Sequence, residues 1–257
     1  MMPAVFVGHG NPMNALGRTA YAEAWARMAA ALPRPAAILS VSAHWYLPGA
    51  RVTADERPRT IHDFGGFPRA LYEVRYPAPG SPALARRVKD LLAPAAAVEL
   101  DDGWGLDHGT WSVLVHMFPD ASVPVVQLGV DETLSAEEHL RLARRLRPLR
   151  DEGVLVLGSG NVVHNLHAYA WGRRVVEPYD WAVQFEAWLR ERLSAHAFDD
   201  VAAYEARGRD AALSAPTPDH FLPLLYVVAQ HEAAEPVSFP VEGFDGGSVS
   251  MLGVRVG

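Results

Sequence analysis

The chain has 257 residues, 49% of them hydrophobic and 21% charged, the balance of a soluble globule large enough for a substantial core. Its net charge of -7 comes without a basic cluster balanced by aromatics, which argues against nucleic acid as the main partner. Cysteine is absent, and this excludes thiol nucleophiles, cysteine-held zinc, iron–sulfur clusters and disulfides together. Lys89, the only lysine, falls in an amphipathic helix pattern and reads as solvated, so a Schiff-base or P-loop enzyme would need its lysine elsewhere. No apolar run is long enough to span a membrane. The N-terminus shows neither the basic region nor the cleavage site of a signal peptide, so the expected location is cytoplasmic. Histidine occurs 11 times; it is the commonest metal ligand and the base best poised at neutral pH.

Residues 4–7 form an apolar run bounded by turn residues, which predicts a buried strand. Gly8, Gly10 and Pro12 then force an abrupt turn around His9. His9 is thus expected just past the carboxyl end of a central strand, where open α/β sheets hold their ligands; a polar turn residue is the alternative. Tyr21, Trp25, Met28 and Leu32 repeat at helical spacing, and Pro33 and Pro35 end that helix. Residues 36–43 form a second buried strand that delivers His44, repeating the opening pattern. Residues 48–80 are rich in Pro, Gly and Arg, with weak periodicity. Within them, residues 61–68 make an aromatic, glycine-containing loop of the kind that lines pockets, in which His62 and Asp63 are open between a pocket and a surface turn. Ser81 and Pro82 start a helix with Leu84, Val88, Leu91 and Leu92 as its buried stripe.

Residues 101–110 are a polar loop whose aspartates are expected to cap turns and helix starts rather than converge on one ion. His108 precedes a helix containing Trp111, Leu114 and Val115, and His116 in that helix reads as a packing residue. Residues 123–130 predict another strand. Ser135 and Glu138 make a capping box for a helix that buries Leu142, Leu146 and Leu149. Arg141, Arg144, Arg145, Arg147 and Arg150 are assigned, with His139, to a solvated face. Residues 154–157 predict the third strand that runs into small residues and a histidine, here Gly158-Ser159-Gly160-Asn161-Val162-Val163-His164. Val163 stands where a dinucleotide fingerprint needs its third glycine, and Leu157 where a serine-nucleophile elbow needs its first. Trp181, Phe185, Trp188 and Leu189 mark a long amphipathic helix, followed by a weaker stretch at 201–206. His220 follows a stiff Pro216-Thr217-Pro218 turn and opens an apolar helix, while His196 and His231 look peripheral. Residues 248–256 close the chain with a strand pattern. Without a linker or a repeat, residues 1–257 are expected to form one domain.

Three histidines after three strands, and a fourth at a helix start, suit a mononuclear zinc, iron or copper site. The absence of an H-E-x-x-H motif excludes a thermolysin-like protease. Spacing this long does not itself establish convergence.

Six segments carry a resemblance. Gly-His9-Gly-Asn-Pro-Met, Ser-Ala-His44-Trp, residues 62–68, Gly-Leu-Asp-His108-Gly-Thr-Trp, Gly-Ser-Gly-Asn-Val-Val-His164-Asn-Leu and Thr-Pro-Asp-His220 occur together in order. In this respect the chain resembles the class III extradiol ring-cleavage dioxygenases, in particular the 4,5-DOPA dioxygenase branch, over nearly its whole length. The resemblance implies a single-domain α/β fold, with a central mostly parallel or mixed sheet flanked by helices and a metal at the strand carboxyl ends. It implies His9 and His44 as metal ligands. The wider class completes its ligand set with a glutamate that has no obvious counterpart here, and His220 is assigned to that role. His164 matches the catalytic base of the wider class and, in the DOPA branch, a fourth ligand; both roles stay open. His108 matches a histidine that contacts substrate or oxygen. The implied cofactor is one mononuclear metal ion, Fe(II) for activity, with Zn(II) as another species the site can bind. The implied partners are O2 and a catechol such as L-DOPA, opened to a muconate semialdehyde. The competing expectation is a zinc-dependent hydrolase using the same histidines, with His164 activating water; a binding module that lost the chemistry is a third.

Overall fold

The computed structural model describes residues 1–93, 95–173 and 176–257. In chain order the strands are β1 (Ala4–Gly8), β2 (Ala37–Leu47), β3 (Ala50–Thr53), β4 (Val98–Asp101), β5 (Val125–Asp131), β6 (Val154–Gly160), β7 (Val237–Val241), β8 (Phe244–Asp245), β9 (Val249–Ser250) and β10 (Gly253–Val256). The helices are α1 (Ala20–Ala30), α2 (Arg69–Glu73), α3 (Pro82–Leu92), α4 (His108–Met117), α5 (Ala136–Ala143), α6 (Pro148–Asp151), α7 (Asp180–Ser194), α8 (Phe198–Ala202), α9 (Arg209–Ser214) and α10 (Leu222–Val228). Among the described residues, an 8-stranded sheet runs in the order β4-β3-β5-β2-β6-β1-β10-β7, and β8 and β9 form a separate hairpin. The central strands β5, β2, β6 and β1 are parallel. Antiparallel pairing of β3 with β5 and of β1 with β10 makes the sheet mixed.

Burial explains the apolar runs. β1, β5 and β6 are buried along their whole length, as strands covered on both faces must be. The two-residue period then divides their side chains between two cores. Phe6, Leu39, Val41, Val126 and Val156 pack with residues of α3, α5, α7 and α10. Val5, Val7, Ile38, Val125, Leu155 and Leu157 pack with Trp25 and Met28 of α1 and Trp111 and Leu114 of α4 on the other side. This is the single α/β domain that the sequence predicts. No helix among the described residues is long and apolar enough to cross a membrane.

Several local expectations need correction. Residues 48–80 carry a strand, β3, and a short helix, α2, and β4 and β7 also went unread; all are short or half-exposed, so a buried apolar period does not mark them. The closing strand pattern is two strands, β9 and β10, and the weak stretch at 201–206 is the end of α8 followed by a 3-10 turn at Tyr204–Arg207. The solvated face assigned to α5 fails at two residues. His139 is buried against α10, with Nδ1 2.9 Å from the Tyr226 hydroxyl and Nε2 3.0 Å from the Asp131 carbonyl. Arg150 is 1% exposed and pairs with Glu235 at 2.6 Å while donating to the Met2 and Gln230 carbonyls. A 3-10 turn at Arg144–Leu146 interrupts the helix before it restarts at Pro148. The period that would keep Arg150 outside does not carry through that break. The capping box at Ser135 and Glu138 is present as expected.

Candidate active site

The carboxyl ends of β1, β2 and β6 meet the turn before α10, and there the histidines collect. His9 directly follows β1, and its amide donates to the Gly160 carbonyl at the end of β6 at 3.0 Å. His44 lies inside β2, which runs on to Leu47 rather than stopping at residue 43. Pairing of β2 with β6 ends at Ser42, and its register with β5 shifts between Val41 and Tyr46. The irregularity frees the His44 side chain to face the cavity. His220 is brought in by a close approach of backbones. The Asn161 amide donates to the His220 carbonyl at 2.9 Å, and a Cβ on Gly160 would lie 2.1 Å from that same carbonyl oxygen. Any side chain at Gly160 would push His220 out of the site.

Polar partners at Nδ1 decide which edge each ring offers. Ser159 donates its one hydroxyl proton to the Gly109 carbonyl at 2.5 Å. At 3.0 Å from His9 Nδ1 it can therefore only accept, so His9 carries its proton there and leaves Nε2 bare. His220 Nδ1 donates to Asp219, and its Nε2 is buried with no hydrogen-bond partner. His44 Nδ1 lies 3.5 Å from Asp63 Oδ2, which turns its Nε2 toward His9 Nε2 at 3.1 Å. A contact this short needs either a proton on one of the two nitrogens or a cation that both lone pairs share. Ligand atoms of His9, His44 and His220 all lie within 4.8 Å of one another. A buried, orphaned Nε2 beside two others aimed at the same point fits one metal ion, and a partner at Nδ1 is how metal-binding imidazoles are usually oriented.

The electrostatics agree. Burial, then the proximity of His220, holds His9 well below the ordinary imidazole value, and burial followed by His108 does the same to His44. Both are neutral, as ligands must be. Burial alone would raise Asp219, but its hydrogen bond with His220 outweighs that and holds it at about 2. Asp63 is likewise lowered, against burial, by the His108 bonds. Behind this layer, Asp107 caps α4 and accepts from Ser42, Thr110 and Gln127. Burial, reinforced by the Asp63 charge, raises it to about 6.

The other two candidates sit beside the cluster. The His108 amide and Nδ1 both donate to Asp63, at 2.8 and 2.9 Å, and its ring centre is 3.8 Å from that of His44. His44, Asp63 and His108 form a second close group around the shared carboxylate. His164 stacks flat on His220, with ring centres 3.5 Å apart and planes 7° from parallel. It is not among the three residues whose ligand atoms converge. Burial, then His220, lowers it to about 3.

A cavity of about 230 Å³ opens over the histidines. Its walls include Phe64 and Phe67 from the loop expected to line a pocket, together with Leu166, Tyr169, Trp171, Asp245 and Val249. Asp63 belongs to the site. His62 does not: its Nε2 lies 3.2 Å from the Val74 carbonyl and its ring packs against Trp111. Sequence reasoning missed Leu166, Tyr169, Trp171 and Asp245. The Asp245-Gly246-Gly247 turn was the one available signal, and it announces a hairpin, not a wall.

Residues 6–244 match the family described as the catalytic LigB subunit of aromatic ring-opening dioxygenase. Over 262 residues the chain is 48% identical to 4,5-DOPA dioxygenase extradiol of Escherichia coli (strain K12), covering 100% of this chain and 95% of that one. A protein of the same name from Beta vulgaris is 38% identical, over 95% of this chain and 92% of its own. The crystal structure of an uncharacterized protein from Escherichia coli K12 covers 100% of both chains with a TM-score of 0.87 and 44% identity. The chain is therefore an enzyme of the class III extradiol ring-cleavage dioxygenases, the family of the LigB catalytic subunit. Within that family it belongs to the 4,5-DOPA dioxygenase branch.

Proposed function

We propose that the protein opens the ring of a catechol, L-DOPA or a close relative, with O2 beside the hydroxyl-bearing carbons, giving a muconate semialdehyde. The observation that carries this reading is the convergence of the Nε2 atoms of His9, His44 and His220, with a polar partner beside each Nδ1, on the floor of an aromatic-walled cavity. We assign His9, His44 and His220 as the ligands of one metal ion, Fe(II) in the active form. When bound, Fe(II) supplies coordination positions for the catechol oxygens and O2 and the redox chemistry that Zn(II) lacks. Zinc in the same site yields a form unable to cleave rings.

The chain's own residues divide the remaining work. Ser159, Asp63 and Asp219 hold the three ligand rings by their Nδ1 edges. His164 is neutral, lines the cavity and is not needed to complete the cluster, so it serves as the base that takes a catechol proton at a ring nitrogen. Its flat stack on His220 fixes the ring's plane. His108 stands over the floor, anchored twice by Asp63 through its amide and Nδ1, which leaves Nε2 free to contact the bound substrate or oxygen. Phe64 and Phe67 pack beside it and keep water away from the ring. Membership of a dioxygenase family favours this reading over a zinc-dependent hydrolase.

The test is anaerobic reconstitution with Fe(II), then addition of L-DOPA and air. Stoichiometric oxygen uptake with a coloured ring-opened semialdehyde is expected. No uptake across several catechols, in protein shown to hold one Fe(II), sinks the reading.

A further inference from the structure

Above the histidines, the cavity wall carries a carboxylate that the ring-opening chemistry leaves without a task. Asp245 ends β8, is half-buried and lines the same cavity as the three ligands. Its Oδ2 accepts a hydrogen bond from the Tyr169 hydroxyl at 2.9 Å. Among the described residues no cationic side chain pairs with it, and it does not belong to a metal-ligating group. The position is built. The Ala170 amide donates to the Gly246 carbonyl at 3.0 Å, tying the loop that carries Tyr169 to the β8–β9 turn. Gly246 has φ +55, and a Cβ there would lie 2.2 Å from the Tyr169 ring, so the turn has been cleared for that aromatic. Trp171 stands next to it, with ring centres 4.5 Å apart.

A substrate that fills this cavity displaces water from the Asp245 carboxylate. The surrounding walls, Phe67, Leu166, Trp171 and Val249 among them, offer it nothing in return. An uncompensated buried charge is costly, so the substrate must bring a cation, and an anionic group placed there is repelled. A carboxylate bonded to the Tyr169 hydroxyl, on a wall that also carries the adjoining Tyr169 and Trp171 rings, is a surrounding in which an ammonium gains a charge-assisted hydrogen bond and meets an aromatic face. We propose that Asp245, positioned by Tyr169 and backed by Trp171, is the subsite that binds the side-chain ammonium of the substrate and selects amine-bearing catechols over catechol acids and alkylcatechols. The proposal rests on the reading of this cavity as a catechol site and deepens it.

The test compares two substrate pairs that differ at the amine alone, L-DOPA against dihydrocaffeate and dopamine against 4-propylcatechol. Each is measured with the Fe(II)-loaded protein and with Asp245→Asn, which keeps an acceptor for Tyr169 and removes the charge. The readout is the ratio of kcat/KM within each pair, so partial misfolding or metal loss cancels. Loss of one hydrogen bond to a charged group is expected to lower the amine preference by about tenfold to a hundredfold, with Asp245→Glu retaining most of it. Equilibrium binding of the same pairs under argon, followed by tryptophan fluorescence, should show the same change in ratio. A ratio within about threefold of wild type in both pairs overturns the ammonium subsite. If neither pair is turned over, the dioxygenase reading fails, and the binding ratios still decide whether Asp245 reads the amine.

Discussion

The floor of the cavity hangs from strands β1 and β2 and from the turn packed on β6, whereas its rim is made of two loops, residues 61–68 and 166–172, and of the β8–β9 hairpin, residues 243–250. On the floor His9 and His220 are each held twice, once by backbone and once by a partner at Nδ1. His9 has the Gly160 carbonyl and Ser159, and His220 has the Asn161 amide and Asp219. On the rim, Trp171 is 64% exposed and Leu166 47%, and Tyr169 is fixed mainly by one hydrogen bond and one cleared glycine. Rigidity at the floor suits an ion that tolerates little misplacement. Looser walls suit a surface that discriminates between substrates. Floor substitutions should therefore remove the reaction, and rim substitutions should change what is reacted upon.

The largest effect is expected at the floor. His9→Ala, His44→Ala or His220→Ala should abolish stoichiometric metal binding and lower ring cleavage by more than about a thousandfold. The fold should survive, because the rings lie past the paired ladder of β1 and β6. Metal analysis together with oxygen uptake checks this. If a single alanine variant retains one tightly bound ion, the three histidines are not the ligand set.

Next come the partners at Nδ1. Ser159→Ala and Asp63→Asn should each weaken metal affinity by about 10–100-fold, the usual cost of losing an orienting partner. Asp63→Asn should also slow turnover at saturating metal, because the same carboxylate anchors His108. Titration with a competing chelator measures the first effect, and saturation kinetics the second. Equal losses of turnover in the two variants at saturating metal would remove His108 from the reaction.

How much of this could be read in the chain follows the same divide. His9, His44 and His164 each follow an unmistakable apolar run, and the repeated pattern marks the site. Ser159 and Asp63 were visible as residues, but their hydrogen bonds span 150 and 45 positions, and no local period reports such a contact. The rim is assembled from single residues of loops that share no spacing, so Tyr169, Trp171 and Asp245 have no signature. The buried Arg150 was misread for a related reason: a helix break shifts the face, and periodicity presumes that the helix continues. His139 lies before the break, three residues from Leu142 on the buried stripe, and was misread by its polar side chain.

Acid should separate floor from rim in the metal-free protein. Burial holds His9 and His44 well below the imidazole range and His164 at about 3. In the unfolded chain these groups titrate near 6.5. Below that pH the unfolded state takes up protons that the folded state refuses, so stability falls as pH drops. Asp107 opposes this, because a carboxyl raised to about 6 gains its proton first in the folded state. Four buried histidines, His139 included, outweigh the raised carboxyls of Asp107 and Glu186, and the thermal midpoint of chelated protein should fall between about pH 7 and pH 5. His164→Ala should flatten the slope. A midpoint that is level or rises on acidification would contradict neutral, buried rings at the floor.

The smallest effect is expected at the outermost wall. Trp171 is largely solvent-exposed, so its contribution to holding an ammonium is that of an exposed cation–π contact, about 0.5–1 kcal/mol. Trp171→Ala should therefore raise KM for L-DOPA by about twofold to fivefold. The change for dihydrocaffeate should be smaller, since that substrate brings no cation to the ring face. The thermal midpoint should stay near that of the parent protein, because little apolar area leaves the core. Steady-state kinetics on the two substrates, with a melting curve as control, measures each of these. An equal rise in KM for both would make Trp171 a nonspecific apolar wall. A loss of kcat comparable to that of the floor variants would erase the division of labour between floor and rim, because it would place an exposed rim residue in the chemistry itself.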